Sequence, residues 1–200
     1  MRILLIGATG TIGRKVAKHL SPSHEVIEVG KTSGSIQVDI SDVNSIRKMF
    51  EKAGMVDAIV NISGEAKWAN FADLSEADYY IGIKSKLMGQ VNLVRLGQEY
   101  LSPGGSFTLT TGILADRPVL MTASAAMVNG AIHSFAQAVA LELRNGHRIN
   151  VVSSGLVEDS VGKYGPYFPG HTPITMDRVV AAYARSIEGQ EHGQIMRLYD

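Results

Sequence analysis

Ile3-Leu4-Leu5-Ile6-Gly7-Ala8-Thr9-Gly10-Thr11-Ile12-Gly13 is the stretch whose reading decides the fold. Four consecutive apolar residues with no polar alternation suit a strand buried on both faces. The run breaks at Gly7, and Thr11–Leu20 then carries a helical pattern. The glycines between strand and helix have separate tasks. Gly7 permits the tight turn, Gly10 allows a pyrophosphate to approach the backbone, and Gly13 lets helix and strand pack closely. The free N–H groups and dipole at the helix N-terminus favour the anion. A purely structural turn could use the same glycines. Their position between a first strand and a first helix favours a dinucleotide site made of Gly7, Thr9, Gly10, Thr11, Ile12 and Gly13.

Outward from this turn, short β-branched runs alternate with amphipathic helical segments, the pattern of a parallel sheet covered on both faces. Strands are expected at Ile3–Ile6, Glu25–Val29, Ser35–Asp39, Asp57–Ile62, Ser106–Thr110, Arg148–Ser153 and Gln194–Tyr199. Helices are expected at Thr11–Leu20, Val43–Ala53 (capped by Ser41), Glu76–Tyr100, Ala123–Leu143 and Asp177–Ile187. Ser102-Pro103-Gly104-Gly105 should stop the third helix. Residues 157–173, with Tyr164, Tyr167, Phe168 and three prolines, read as a loop or lid. The expectation is an α/β, Rossmann-type, doubly wound parallel sheet of about seven strands, forming a single nucleotide-binding domain over residues 1–200.

Composition narrows the function. Nineteen basic residues balance nineteen acidic ones, so nothing electrostatic points to nucleic acid or a membrane surface. There is no cysteine, which excludes thiolate metal sites and cysteine nucleophiles. The histidines are scattered without the spacing of a helical zinc pair, and no metal site is expected. The initial apolar run is too short for a signal core or a membrane span, so a cytoplasmic protein is expected.

The end of the second strand selects the cofactor. An NAD site places a carboxylate there for the ribose hydroxyls, whereas a 2′-phosphate requires a cation. The chain reads Val29-Gly30-Lys31-Thr32-Ser33, with no acid. Lys31 can pair with the phosphate, and Thr32 and Ser33 can donate hydrogen bonds. NADP is therefore expected over NAD. The alternatives are a solvated turn lysine and an NAD-type role for Glu28, which falls inside the strand.

Taken together, Gly7–Gly13, Val38-Asp39-Ile40, Asn61-Ile62-Ser63-Gly64, Ala138–Leu143 and Arg148–Val152 resemble the short-chain dehydrogenase/reductase superfamily over nearly the whole chain. The resemblance implies a strand order of 3-2-1-4-5-6-7 and association through the two long helices. It also implies that Asp39, beside Ile40, touches the adenine, and that Asn61, Ser63 and Gly64 shape the cofactor cleft. The family's catalytic residues are not carried over. Its tyrosine falls on Ala125, its lysine on Asn129, its serine on Gly112 and its asparagine on Lys86. Its Pro-Gly appears as Ser154-Gly155, and the following threonine as Asp159.

The standard mechanism needs a phenol made acidic by a nearby ammonium, which Ala125 cannot supply. Lys86 and Asn129 stand where the family has asparagine and lysine, in reversed order. They suggest an ammonium that reaches the nicotinamide ribose and is bonded by Asn129. The alternative for Lys86 is a surface or subunit contact. Thr110 and Thr111 can orient a carbonyl, and Tyr164 on the lid is a chemically better acid. His133, one helical turn after Asn129, and Trp68 at the rim are either site residues or ordinary packing. The candidate catalytic set is Lys86, Thr111, Asn129 and Tyr164. The expected activity is NADP-dependent oxidoreduction of a small carbonyl or alcohol. The competing readings are a non-catalytic NADP(H) sensor and a structural subunit. Small residues along the second long helix, from Ala123 to Ala140, favour a homodimer or homotetramer.

Overall fold

A computed structural model of the chain describes residues 1–199. The strands are β1 (Arg2–Ile6), β2 (Glu25–Gly30), β3 (Ile36–Gln37), β4 (Val56–Asn61), β5 (Leu101–Gly112), β6 (Arg148–Ser154) and β7 (Ile195–Leu198). The helices are α1 (Thr11–Leu20), α2 (Val43–Ala53), α3 (Glu76–Gly82), α4 (Met88–Gly97), α5 (Ala123–Ala140), the short α6 (Val161–Tyr164) and α7 (Met176–Glu188). Every strand pairing is parallel, and the order is β3-β2-β1-β4-β5-β6-β7. The sheet and its order are those expected of a doubly wound fold.

Parallel strands need crossovers, and the helices that supply them cover both faces. Along β1 the side chains alternate between two cores. Leu4 and Ile6 join Phe50, Leu93, Phe107 and Ile132 on the side of α2, α4 and α5. Ile3 and Leu5 join Val16, Leu20, Val179 and Tyr183 on the side of α1 and α7. Burial on both faces explains why the strand reads as an unbroken apolar run.

Four details depart from the sequence expectation. The cap of α2 is Asp42, whose carboxylate accepts from the Asn44 amide, and not Ser41. The Ser41 hydroxyl is committed to Asp39 instead, at 2.6 Å. The third helical segment is not uniform: a π-helical turn, Ile83–Leu87, separates α3 from α4. Ser102–Gly105 does not precede the fifth strand but lies within it. The β4–β5 register jumps from Val56–Leu101 to Ala58–Ser106, and Gly104 adopts a φ of 77°. Finally, α5 ends at Ala140, and the chain reverses through Asn145 and Gly146, both at positive φ. Among the described residues no helix is long and apolar enough to cross a membrane.

The first turn fixes the origin of the site. The Gly7 and Ala8 amides both donate to the Val29 carbonyl, and Gly7 has a φ of 87°. A β-carbon on Gly13 would collide with the Gly7 carbonyl and stand 2.8 Å from the Ala8 α-carbon. Backbone on both sides cannot yield as a flexible side chain would. Gly13→Ala is therefore expected to cost about 3 kcal/mol, the upper end of ordinary overpacking, measured as a lower denaturant midpoint with an unchanged slope.

Candidate functional site

Two adjoining cavities open at the carboxyl ends of the strands, where ligands bind in doubly wound sheets. The first, of about 360 Å³, lies over the ends of β1, β2 and β4. Gly7, Thr9, Gly10, Lys31, Asp39, Ile40, Ser63 and Gly64, all expected cofactor residues, line it. Thr11, Ile12 and Gly13 form the first turn of α1, whose cap residue is Gly10. The first intrahelical bond is the Arg14 amide to the Gly10 carbonyl, and no side chain caps the helix. The Gly10 amide is turned back to the Gly7 carbonyl, and the amides of Thr11, Ile12 and Gly13 are left available to an anion. Glycine is also required at Gly30, where a β-carbon would collide with the Ser33 carbonyl at 2.5 Å and meet the Thr9 hydroxyl at 2.9 Å.

Other expected residues stand back from the wall. Asn61 is buried behind it, donating to the Ser63 carbonyl and accepting from the Ser63 hydroxyl, and so shapes the loop after β4. Thr32 is exposed on the turn after β2, outside the cavity lining. Glu28 lies within β2, as expected. Lys31 is not free: its ammonium is 3.1 Å from the Asp39 carboxylate, on an exposed surface. The Ser41 hydroxyl and amide, with Lys31 adding to them, hold the Asp39 pKa down at about 2.

The second cavity, of about 480 Å³, shares Ile62, Gly64 and Glu65 with the first and also takes in Ile12. Lys86, Gly112, Ala125, Asn129, Ser154 and Gly155 all line it. The positions where the family carries its chemistry therefore converge here in space, with different side chains. Asp159 is absent from the wall, and its neighbour Ser160 is present.

Lys86 comes from the π-helical turn, a local widening that often marks functional sites. Gly64, at a φ of 119°, packs against its stem; a β-carbon there would lie 2.9 Å from the Lys86 α-carbon. Burial lowers the Lys86 pKa to about 8, with no carboxylate paired to it among the described residues. The expected Lys86–Asn129 bond is not formed. The Asn129 amide instead donates to the Ala125 carbonyl, at 2.7 Å, within its own helix. Its Oδ1 is buried in the cavity wall with no partner among the described residues.

The β5 end is held from below. Gln90 is fully buried, and its side chain accepts from the Thr110 amide at 2.8 Å. It also donates to the Thr110 and Lys86 carbonyls. The Thr110 hydroxyl is engaged with the Asn61 carbonyl and the Tyr183 hydroxyl. Burial pushes the Tyr183 phenol well above its usual range. Thr111 faces the opposite way, 2.8 Å from His133 Nε2. Behind His133 stands Asp116, which is itself bonded by Arg197 and Tyr199. Burial lowers the His133 pKa, with Asp116 opposing and Arg197 reinforcing the shift.

The segment after β6 forms two short helical turns with α6 between them, rather than irregular chain, and Val157, Ser160, Tyr164 and Phe168 from it line the cavity. Tyr164 and Trp68 line the cavity, with ring centroids 5.2 Å apart. Tyr167 meets the same indole edge-on, at 5.5 Å.

Comparison with known proteins gives these positions their class. A family model described as enoyl-(acyl carrier protein) reductase matches residues 8–181. The chain belongs to that family, within the short-chain dehydrogenase/reductase superfamily of oxidoreductases. It is similar to the crystal structure of the protein lin1944 from Listeria innocua, with 44% identity, a TM-score of 0.98 and full coverage of both chains. A small-chain dehydrogenase solved in complex with NADPH is 26% identical, with a TM-score of 0.89, covering 100% of this chain and 96% of that one. An uncharacterized oxidoreductase of Methylorubrum extorquens is 26% identical over 180 residues, 77% of this chain and 72% of that protein.

Two measurements probe this geometry. Gln90→Leu strands the Thr110 amide and carbonyl in the interior and is expected to cost about 3 kcal/mol in chemical denaturation. For Lys86 the sign is set by linkage. Below about pH 8 both folded and unfolded states hold its proton. From there up to 10.5 only the unfolded state does, so stability contributed at this site rises with pH. Relative to Lys86→Met, the wild-type chain should gain stability between pH 7 and about 10. Parallel denaturation profiles for the two chains would contradict this.

Proposed function

We propose that this chain is an NADP(H)-dependent oxidoreductase acting on a small carbonyl or alcohol through a site that lacks the family's tyrosine. The observation that carries the reading is the adjacency of the glycine-lined cavity and the Lys86–Asn129 cavity, whose walls have Ile62, Gly64 and Glu65 in common. The first has the glycine cradle and uncapped helix a pyrophosphate needs. The second offers room beside it for a nicotinamide ring and a small substrate.

Gly7, Thr9, Gly10, Thr11, Ile12 and Gly13 would hold the pyrophosphate. Lys31 and Thr32 would take the 2′-phosphate, which must draw the Lys31 ammonium from Asp39. Asp39 and Ile40 would border the adenine, with Asn61, Ser63 and Gly64 forming the cleft floor. When bound, the nicotinamide supplies or accepts the hydride. Lys86 would place a cation near the nicotinamide ribose. On the substrate side, Asn129 lines the cavity with a buried Oδ1 that lacks a partner among the described residues; the Thr111 hydroxyl would contact the reacting oxygen, and Tyr164 would border the substrate. Residues 1–200 act as one nucleotide-binding domain, and α4 and α5 pair copies of the chain into a dimer or tetramer. Met88 and Met127 are exposed on those helices.

The buried Ala125 at the tyrosine position favours one alternative, a sensor that binds NADP(H) without turnover. Titration with NADPH and NADH, followed by NADPH absorbance with a panel of carbonyl compounds, separates the readings. NADPH is expected to bind at least about tenfold more tightly than NADH, equivalent to the 1.4 kcal/mol an added charged contact supplies. Lys31→Ala should remove most of that preference. Binding without turnover on any compound would favour the sensor, and failure to bind either cofactor would overturn the proposal.

A further inference from the structure

A replacement for the missing phenol need not be a single residue that touches the cavity. The structure offers a two-residue solution instead. Ala125, Asn129 and His133 are spaced four residues apart on α5 and so share one face of the helix. At the first of these positions the family's acid is gone. Two turns further on, the same face carries an imidazole, too deep to line the cavity itself but 2.8 Å from Thr111, which does line it.

We infer that Thr111 and His133 form the proton-transfer path of this site, with Thr111 exchanging a proton with the substrate oxygen and His133 storing it, in an arrangement set for alcohol oxidation. This rests on the hydride-transfer reading proposed above.

The geometry defines the direction of each proton. Asp116 Oδ1 stands 4.0 Å from His133 Nδ1, and the carboxylate is fixed by Arg197 at 2.7 Å and by the Tyr199 hydroxyl. Its negative charge favours the imidazole proton on Nδ1. Nε2 is then left as the acceptor for the Thr111 hydroxyl. Thr111 Oγ1 has no other protein partner among the described residues, so its remaining lone pairs can accept from a substrate hydroxyl.

The step balances as follows. A bound oxidised nicotinamide would take the hydrogen of the alcohol carbon with both bonding electrons. The alcohol proton passes to Thr111 Oγ1 while the Thr111 proton passes to His133 Nε2. The products are a carbonyl compound, the reduced cofactor and an imidazolium beside Asp116. Asp116 is partly exposed, which gives the proton an outlet to solvent. Reduction of a carbonyl runs the same path backwards and must begin from the imidazolium. The charged groups facing His133 are Asp116, from the turn after β5, and Arg197, from β7. The first raises its pKa and the second lowers it, while burial, the largest effect, also lowers it. The ring is therefore neutral at neutral pH, the state needed to accept a proton. Oxidation should rise with pH through a value below 6.5, and reduction should fall through the same value.

The test combines ring spectroscopy with kinetics. Nitrogen-15 NMR of the His133 ring should show the Nδ1–H tautomer, titration below the ordinary histidine range, and an Nε2 signal that moves in Thr111→Val. An Nε2–H tautomer, or a signal indifferent to Thr111→Val, overturns the inference whether or not the chain turns over. In steady-state assays with NADP and an alcohol panel, Thr111→Val should lower kcat about 100-fold, the size of a lost general base, without weakening NADP binding. Thr111→Ser should restore most of the loss, and His133→Gln should abolish the pH inflection. Full activity in Thr111→Val would overturn the relay and leave the oxidoreductase reading standing. Absence of turnover by the wild-type chain in either direction would remove that reading and the relay with it.

Discussion

The carboxamide of Gln90 holds the second cavity together from beneath. It bonds both backbone groups of Thr110 and the carbonyl of Lys86, so one buried side chain fixes the end of β5 against the π-helical turn. The positions of Lys86 and Thr111 follow from this clamp. Lys86 is carried on the turn itself, and Thr111 is the next residue along the strand. A buried amide with well-placed partners is stable, whereas one with missing partners costs more than the bonds it replaced. The wall is therefore defined by backbone bonded to a side chain, and the residues above it can vary without moving the frame.

That separation explains how a chain can keep the cleft of its family while losing the family's reactive side chains. Gly112, Ala125, Asn129 and Lys86 still surround one space, because the strands and helices that carry them are set by the sheet order and by the two cores. Nothing in those cores requires a phenol at position 125; a buried alanine packs there with Ile113, Leu114 and Phe168. Fold and chemistry are linked only through the residues that line the site.

The parts of this structure that could be read from the sequence are local. An apolar run followed by three spaced glycines specifies strand, turn and helix within thirteen residues, and the alternation of such units specifies a parallel sheet. The unread parts join distant residues or depend on competition between partners. No spacing rule connects Thr111 to His133, or His133 to Asp116 and Arg197, and Gln90 looks like any polar helix residue until β5 is placed beside it. Ser41 was a reasonable cap, but the nearby Asp39 carboxylate takes its hydroxyl. Asn129 had the right position to meet Lys86, yet a carbonyl of its own helix lay closer at hand. Lys31 likewise reads as a free cation until Asp39, eight residues away, folds next to it.

The aromatic seat of the lid has a practical consequence. Trp68 is the sole tryptophan of the sequence, and it sits at the mouth of the larger cavity against Tyr164 and Tyr167. On excitation at the red edge, where tyrosine does not absorb, its indole emission comes from the rim of the site alone. An indole packed against two phenol rings is partly shielded from water, and its emission moves to longer wavelength when the rings part and water reaches it. The native chain thus carries a built-in optical reporter of events at the cavity mouth, readable in a stopped-flow instrument without labels or engineered residues.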